Sequence, residues 1–235
     1  MNALLFITKV YNKFLGINLK LSFSQCGEDS IIMFLITSLG LKKIQYFDIG
    51  TNNPRNMNNT YLMYLNGYKG VCVEPDPFFH NQIKKYRPKD TLIPAGISSE
   101  NSESAKFYIM DDSVLNTFSK SEAENMVNFH QRKIKKTICV PLISINEILE
   151  TYHLKDHHTI VSIDVEGLDF IILKSLNFSK YRPSIICVET LEYSKDLTGK
   201  KNEDIISLLS SHNYSLYADT HINSIFVNMS IISNK

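Results

Sequence analysis

The sequence predicts an alternating α/β fold, with a doubly wound, mainly parallel sheet, helices on both faces and one antiparallel strand near the C-terminus. Short apolar runs alternate with stretches of helical periodicity from Ile44 onward, which is the order of successive βα units. The last two apolar runs are separated by only a few residues, as in a hairpin. The 235 residues contain no repeat and no linker rich in Pro, Gly or Ser, which suits one sizeable domain.

Helices and strands alternate in the first half of the chain. The polar segment Ser24–Asp29 precedes an apolar helix that ends at Gly40. Acids in the first turn and glycine after the last are what the helix dipole and capping favour. Asp76 and Pro77 are the expected N-cap and first residue of another helix. The predicted strands here span 44–49, 70–73 and 91–95, and a further predicted helix spans 58–66.

The second half begins with a section that departs from this alternation. Segments 105–110 and 138–141 look extended, and the polar stretch 111–136 between them looks like loop and helix. The remaining predicted helices span 145–152, 168–176 and 203–211, and the predicted strands span 159–164, 184–189, 214–218 and 224–228.

The N-terminal segment is predicted to be a helical extension over 1–23, before a single domain over 24–235. Its apolar residues recur at roughly helical spacing: Leu4, Leu5, Ile7, Tyr11, Phe14 and Leu15. We expect this helix to pack on the domain, with docking on a membrane surface as the alternative. The segment lacks the charge and cleavage pattern of a signal peptide, and no run reaches the ~20 apolar residues of a transmembrane helix.

Charge and cysteine usage limit the partners and the compartment. The formal net charge is +1, which gives no reason to expect nucleic acid, and the basic cluster Arg132–Lys136 is typical of a solvated face. The four cysteines are far apart, and Cys72, Cys139 and Cys187 lie in apolar runs where we expect them to be buried. This pattern favours neither disulfides nor zinc and predicts a cytoplasmic location.

Polar residues at the predicted strand ends form the candidate site, because ligands of open α/β sheets bind beyond the carboxyl ends of the strands. Asp48–Pro54 follows the first strand. Gly50 would let the backbone approach a ligand, and Asp48 could accept hydrogen bonds from an ammonium group. Glu74 ends the second strand and could accept from both ribose hydroxyls, since Asp76 already serves as the helix cap.

Two more strands end in carboxylates, at Asp164 with Glu166 and at Glu189. Acids at neighbouring strand ends converge on one cleft. A dinucleotide fingerprint would need three glycines around the first turn, and Gly50 stands alone. The loop therefore favours a ligand without a pyrophosphate group.

Four segments resemble the motifs of the FkbM-type methyltransferase family: Ser24–Asp29, Phe47–Pro54, Val73–Pro77 and Ser162–Leu173. The resemblance extends from about Ser24 to Asn228. It implies a class I methyltransferase (Rossmann-like) fold, S-adenosylmethionine as cofactor, and methyl transfer to an oxygen, often on a sugar or secondary metabolite. Many relatives have a small residue and a second glycine where this chain has Thr51–Pro54.

The residues predicted to hold the cofactor are Gln25, Glu28, Asp48, Ile49, Gly50, Thr51, Asn52, Asn53, Glu74, Pro75, Gly96, Ile97, Asp164 and Glu166. We also expect Ser24–Asp29 to fold over the cleft. An alcohol acceptor must lose its proton, and the candidate bases are Asp164, His221 and Glu189. A divalent metal on Asp164 and Glu189 is an alternative that we do not favour.

The acceptor is expected to be a small molecule or a saccharide, such as a cell-surface glycan precursor. Its contacts should come from 111–136 and from the first 30 residues. Two other functions remain open at this point: a nicotinamide-dependent oxidoreductase, and a non-catalytic cofactor-binding scaffold of the same fold. The sequence leaves the oligomeric state undetermined.

Overall fold

The structure is a computed structural model that describes residues 3–99, 103–165, 167–191 and 198–232. The helices are α1 Ala3–Leu15, α2 Glu28–Ser38, α3 Tyr61–Leu65, α4 Pro77–Tyr86, α5 Lys120–His130, α6 Ile145–Tyr152, α7 Asp169–Ser175 and α8 Glu203–Ser211. The strands are β1 Ile44–Ile49, β2 Lys69–Val73, β3 Thr91–Ile93, β4 Gly96–Ser98, β5 Ser104–Met110, β6 Ile134–Ser144, β7 His158–Ile163, β8 Ile185–Glu189, β9 Tyr214–Asp219 and β10 Asn223–Asn228.

The main sheet has seven strands in the order β3-β2-β1-β7-β8-β10-β9. Strand β10 pairs antiparallel with both neighbours, and the other pairs are parallel. This confirms the predicted class I methyltransferase sheet and its C-terminal hairpin. The strand order reverses between β1 and β7, and this reversal is where open α/β sheets bind ligands.

A second sheet, in the order β4-β6-β5, was not predicted. The expected strand 91–95 ends early because the chain leaves the main sheet at Pro94, and Gly96 then pairs with Leu142 of β6. The first half of β6 is mostly solvent-exposed, so it has no apolar run that would identify a strand. For the same reason Cys139 on β6 is exposed, contrary to expectation, whereas Cys72 and Cys187 are buried as predicted.

The core occupies both faces of the main sheet. On one face, Phe47 and Ile49 of β1 pack in a cluster with residues of α6, α7 and α8. On the other face, Tyr46 packs with residues of α2 and α3. The apolar side chains of β1 divide between the two clusters, and all six residues of the strand are buried, including the polar Gln45 and Asp48.

Helix α1 forms as predicted but barely packs on the domain. Leu5 and Thr8 are its only buried residues among those described. Val10 is half-buried and the other apolar side chains of α1 face solvent, so its buried contacts are confined to one side of the helix. None of the described helices is both long enough and apolar enough to cross a bilayer.

Candidate active site

A cavity of about 400 Å³ lies at the carboxyl ends of β1, β2, β7 and β8, beside the reversal of strand order. The predicted site residues that line it are Gln25, Asp48, Ile49, Gly50, Thr51, Asn52, Asn53, Glu74, Pro75, Ile97, Asp164 and Glu189. The structure therefore brings together residues from the ends of four strands, as predicted, and from the segment before α2. The middle section contributes as well, through residues such as Ser113, Asn116 and Phe118.

Glu28 does not line this cavity. Its carboxylate is fully buried and accepts hydrogen bonds from Thr220 Oγ1 at 2.7 Å and Asn223 Nδ2 at 3.1 Å. It thereby fastens the start of α2 to the turn between β9 and β10. Asp29 likewise faces inward and accepts from the backbone N–H of Phe23 at 2.7 Å. Of this acidic segment, Gln25 is the residue that reaches the cavity.

Three further predicted residues lie elsewhere. His221 is exposed in the turn before β10, where its backbone N–H donates to Asp219, and it does not line the cavity. Gly96 is buried and does not line the cavity. It packs against Phe118 so closely that a Cβ would lie 2.1 Å from the ring. Glu166 lies outside the described residues.

Gly50 lines the cavity, and packing also requires that it carry no side chain. Its φ is +82°, and a Cβ there would lie 1.9 Å from the carbonyl oxygen of Asp164. Any side chain would therefore push the ends of β1 and β7 apart. Asn52 adopts a left-handed φ of 48°, which asparagine tolerates better than most residues, so the loop turns without a second glycine.

Glu74 is fixed by two backbone amides. Its Oε2 accepts from the N–H of Asn52 at 2.6 Å, and its Oε1 accepts from the N–H of Asp76 at 2.7 Å. Burial raises the pKa of Glu74 to about 8. Asp76 caps α4 by accepting from the N–H of Phe78 at 2.9 Å, as predicted. Each carboxylate oxygen of Glu74 keeps a lone pair beyond its amide contact, and the side chain faces the cavity.

A buried arginine that the sequence did not reveal holds Asp48. Arg87 is fully buried and donates to Asp48 Oδ2 at 2.9 Å, to Asp90 Oδ2 at 2.8 Å and to Thr60 Oγ1 at 2.8 Å. Asp48 Oδ2 also accepts from Asn58 and Thr60. The polar residues Asn58 and Thr60 are engaged here, which explains why α3 begins at residue 61 and not at the predicted 58.

Three carboxylates cluster at the ends of β7 and β8. Burial, with the charges of Asp169 and Asp48, raises the pKa of Asp164 to about 7. Burial raises the pKa of Asp169 to about 6. Burial and the charge of Asp164 raise the pKa of Glu189 well above its ordinary value. Asp169, which the sequence analysis missed, begins α7 and accepts from the N–H of Val165.

The carboxylate of Asp164 is free to accept a proton. No donor from the described part of the chain bonds its carboxylate, so its oxygens are open to the cavity. Within the same described ranges, no group of three or more His, Cys, Asp or Glu residues is arranged to hold a metal ion.

A family model described as "Methyltransferase FkbM domain" matches residues 48–216, which is more than half of the chain. The chain belongs to this family. It is an S-adenosylmethionine-dependent methyltransferase, as the resemblance implied, and the predicted cofactor is confirmed. The predicted motif at Ser24–Asp29 lies before the matched region. The family assignment leaves no support for the nicotinamide-dependent oxidoreductase.

Solved structures with a similar fold include a putative caffeoyl-CoA O-methyltransferase from Staphylococcus aureus, at 9% identity and a TM-score of 0.44, covering 97% of this chain and 93% of that one. An S-adenosylmethionine-dependent methyltransferase from Clostridium acetobutylicum matches at 9% identity and a TM-score of 0.43, covering 96% and 99%. Likenesses this distant say nothing about the acceptor of the FkbM methyltransferase. No curated protein matches the chain significantly.

Proposed function

We propose that this FkbM methyltransferase transfers the methyl group to the oxygen of a hydroxyl on a neutral saccharide or a similar polyhydroxylated small molecule. The observation that supports this most is the position of Glu189 between two cavities. Glu189 lines the 400 Å³ cavity of the predicted cofactor residues and also a second cavity of about 570 Å³. A reaction between two bound molecules needs such a junction, with acid–base groups beside it.

The first cavity suits S-adenosylmethionine. The Glu74 carboxylate is oriented by backbone amides and can accept from ribose hydroxyls, while the loop after β1 supplies the wall at Gly50. Asp48 is already bound by Arg87 through Oδ2, so its part is to hold the loop as well as to present negative charge to the cavity. The cofactor supplies an electrophilic methyl group on a sulfonium. This protein's residues supply orientation and proton acceptance.

The second cavity fits a neutral hydroxyl-bearing acceptor. Its wall combines two aromatic rings, Phe129 and Phe170, with amides such as Asn125 and Asn202. Aromatic faces can pack on the apolar face of a sugar ring, and amides can bond its hydroxyls. The carboxylates of Glu122 and Asp169 also line this wall, which disfavours an acceptor carrying phosphate or carboxylate groups.

Asp164 is our proposed base, with Glu189 as its partner. Because the charge of Asp164 raises the pKa of Glu189, Asp164 is the member of the pair that ionises first. Bound S-adenosylmethionine would supply the methyl group and leave as its demethylated product, and Asp164 would accept the proton that the acceptor hydroxyl loses. Protonated Glu189 can donate a hydrogen bond to the acceptor at the junction.

A methyl-transfer screen tests the proposal. The enzyme, with methyl-labelled S-adenosylmethionine, is offered matched pairs of neutral and phosphorylated saccharides, alongside amine and carbon acceptors. Product mass and NMR assign the methylated atom. We expect methyl ethers on the neutral saccharides. A product methylated on nitrogen or carbon, or turnover confined to the phosphorylated members, would contradict the proposed acceptor.

Replacing Glu74 by Gln should weaken cofactor binding by about 1–3 kcal/mol, the cost of leaving a buried hydrogen-bonding group without its partner. The Gln variant keeps an oxygen for one of the two backbone amides and turns its NH₂ group toward the other. Alanine would leave two buried N–H groups without a partner. Calorimetry with S-adenosylmethionine measures the loss, and Glu122→Gln in the second cavity is the matched control. Unchanged affinity in Glu74→Gln would remove the ribose assignment.

The pH profile of the reaction should show the raised pKa of Asp164. Only the ionised carboxylate accepts a proton, so kcat/KM for the acceptor at saturating cofactor, where Glu74 is already engaged, should rise with pH through about 7. This limb should vanish in Asp164→Asn and remain in Glu74→Gln. If the limb persists unchanged in Asp164→Asn, the titrating group lies elsewhere.

A further inference from the structure

Helix α1 presents its apolar side to solvent. Leu4, Ile7, Tyr11, Phe14 and Leu15 recur at spacings that place them on one side of the helix, and their exposed fractions are 44%, 50%, 53%, 79% and 61%. We call this side the α1 apolar face. The two buried residues of the helix, Leu5 and Thr8, lie outside it. The buried side of the helix therefore leaves the α1 apolar face uncovered, and Phe6, exposed to 51%, lies beside Lys9 and Lys13 on the other side.

The chain after α1 keeps this face open. It turns at Gly16, where φ is 63°, and runs back along the helix. The side-chain amide of Asn12 donates to the carbonyl of Leu19 at 2.9 Å, and its oxygen accepts from the N–H of Leu19 at 2.7 Å. Because Asn12 lies on the opposite side from Ile7 and Phe14, this return segment does not cover the α1 apolar face.

The charge of this segment is uniformly positive. Residues 3–27 contain Lys9, Lys13 and Lys20 and no Asp or Glu, although the whole chain is nearly neutral at +1. Lys9 and Lys13 are one helical turn apart on the polar side of α1. An anionic occupant therefore complements the segment.

We propose that α1 lies in the plane of an anionic membrane surface, with its apolar face among the headgroups and upper acyl chains and its lysines near lipid phosphates. Amphipathic helices with aromatic and aliphatic residues on one face and lysines on the other bind in this way. The 13 residues of α1 give a length of about 20 Å, against the ~30 Å thickness of the hydrocarbon core, so the helix lies on the membrane rather than across it.

Vesicle co-sedimentation of the full chain tests this. Vesicles of phosphatidylcholine alone are compared with vesicles that also contain phosphatidylglycerol, at low and high salt. We expect binding to the anionic vesicles, weaker at high salt. Ile7→Glu with Phe14→Glu should reduce the membrane partition constant at least about tenfold. Lys9→Ala with Lys13→Ala should reduce the same constant by about fivefold per lysine.

Leu154→Glu with Ile171→Glu is the matched control. These residues are exposed to 49% and 48% and lie outside α1, so this variant should bind vesicles as the unmodified protein does. Circular dichroism confirms that each variant is folded. Equal binding to neutral and anionic vesicles, or unchanged binding in Ile7→Glu with Phe14→Glu, would overturn the proposal. A dimer in light scattering that these two substitutions dissociate, with no vesicle binding, would also overturn it.

Discussion

Asp164→Asn is expected to lower the turnover of this FkbM methyltransferase by roughly 10²–10⁴-fold, the usual contribution of general base catalysis. Asparagine keeps the shape of the side chain but cannot accept the acceptor proton. No described donor bonds the Asp164 carboxylate, so the substitution breaks no hydrogen bond within the described structure. Single-turnover rates with preloaded cofactor, together with calorimetry, separate the chemical step from binding.

The outcome of the Asp164→Asn experiment distinguishes three roles. If Asp164 is the base, cofactor affinity changes little. If it binds the ammonium group of the cofactor, affinity falls with turnover, and Glu189 becomes the next candidate because it lines both cavities. If it holds a metal, chelator abolishes the activity of the unmodified enzyme and magnesium restores it. Full turnover in Asp164→Asn would contradict all three roles.

Glu189→Gln is the comparison variant. In our proposal Glu189 is the protonated member of the pair, held so by burial and by the charge of Asp164. Glutamine also donates a hydrogen bond, so turnover should fall far less than in Asp164→Asn. Removal of the charged Asp164 in Asp164→Asn should also lower the apparent pKa of Glu189. A larger loss of turnover in Glu189→Gln than in Asp164→Asn would make Glu189 the base and Asp164 the hydrogen-bond donor.

The sequence predicted best those strands and site residues that lie at or beside the carboxyl ends of the strands. Buried parallel strands give continuous apolar runs, and the first polar residue after each run marks the edge of the sheet where ligands bind. That signal located Asp48, Glu74, Asp164 and Glu189, all of which line one cavity. Asp76 was predictable as a cap because helix capping is local.

What the sequence did not predict depends on contacts between distant segments. Strand β6 is exposed over its first half, so the sequence predicted only 138–141 as extended, and the pairing with β5 shows that the strand begins at Ile134. Glu28 looked like a cofactor ligand from its place in a polar segment, yet its partners Thr220 and Asn223 lie nearly 200 residues away. Arg87 follows a helix and precedes a proline, which is typical of an exposed position.

The buried Arg87 gives the second large expected effect. Arg87→Met should lower the free energy of unfolding by about 3–5 kcal/mol, the cost of removing one partner from a buried ion pair. Methionine fills much of the volume but leaves Asp48 and Asp90 buried without their cation. Equilibrium unfolding in urea, followed by circular dichroism, measures the change.

Arg132→Met is the matched control for Arg87→Met. Arg132 pairs with Asp112 at 3.4 Å, and both side chains are more than a third exposed, so its loss should cost at most about 1 kcal/mol. Adding Asp90→Asn to Arg87→Met should recover part of the lost stability, because one of the two stranded charges is removed. A change in Arg87→Met no larger than that in Arg132→Met would contradict a structural role for this ion pair. If Arg87 also holds the loop after β1 through Asp48, cofactor affinity should fall in Arg87→Met even at temperatures where the variant is fully folded.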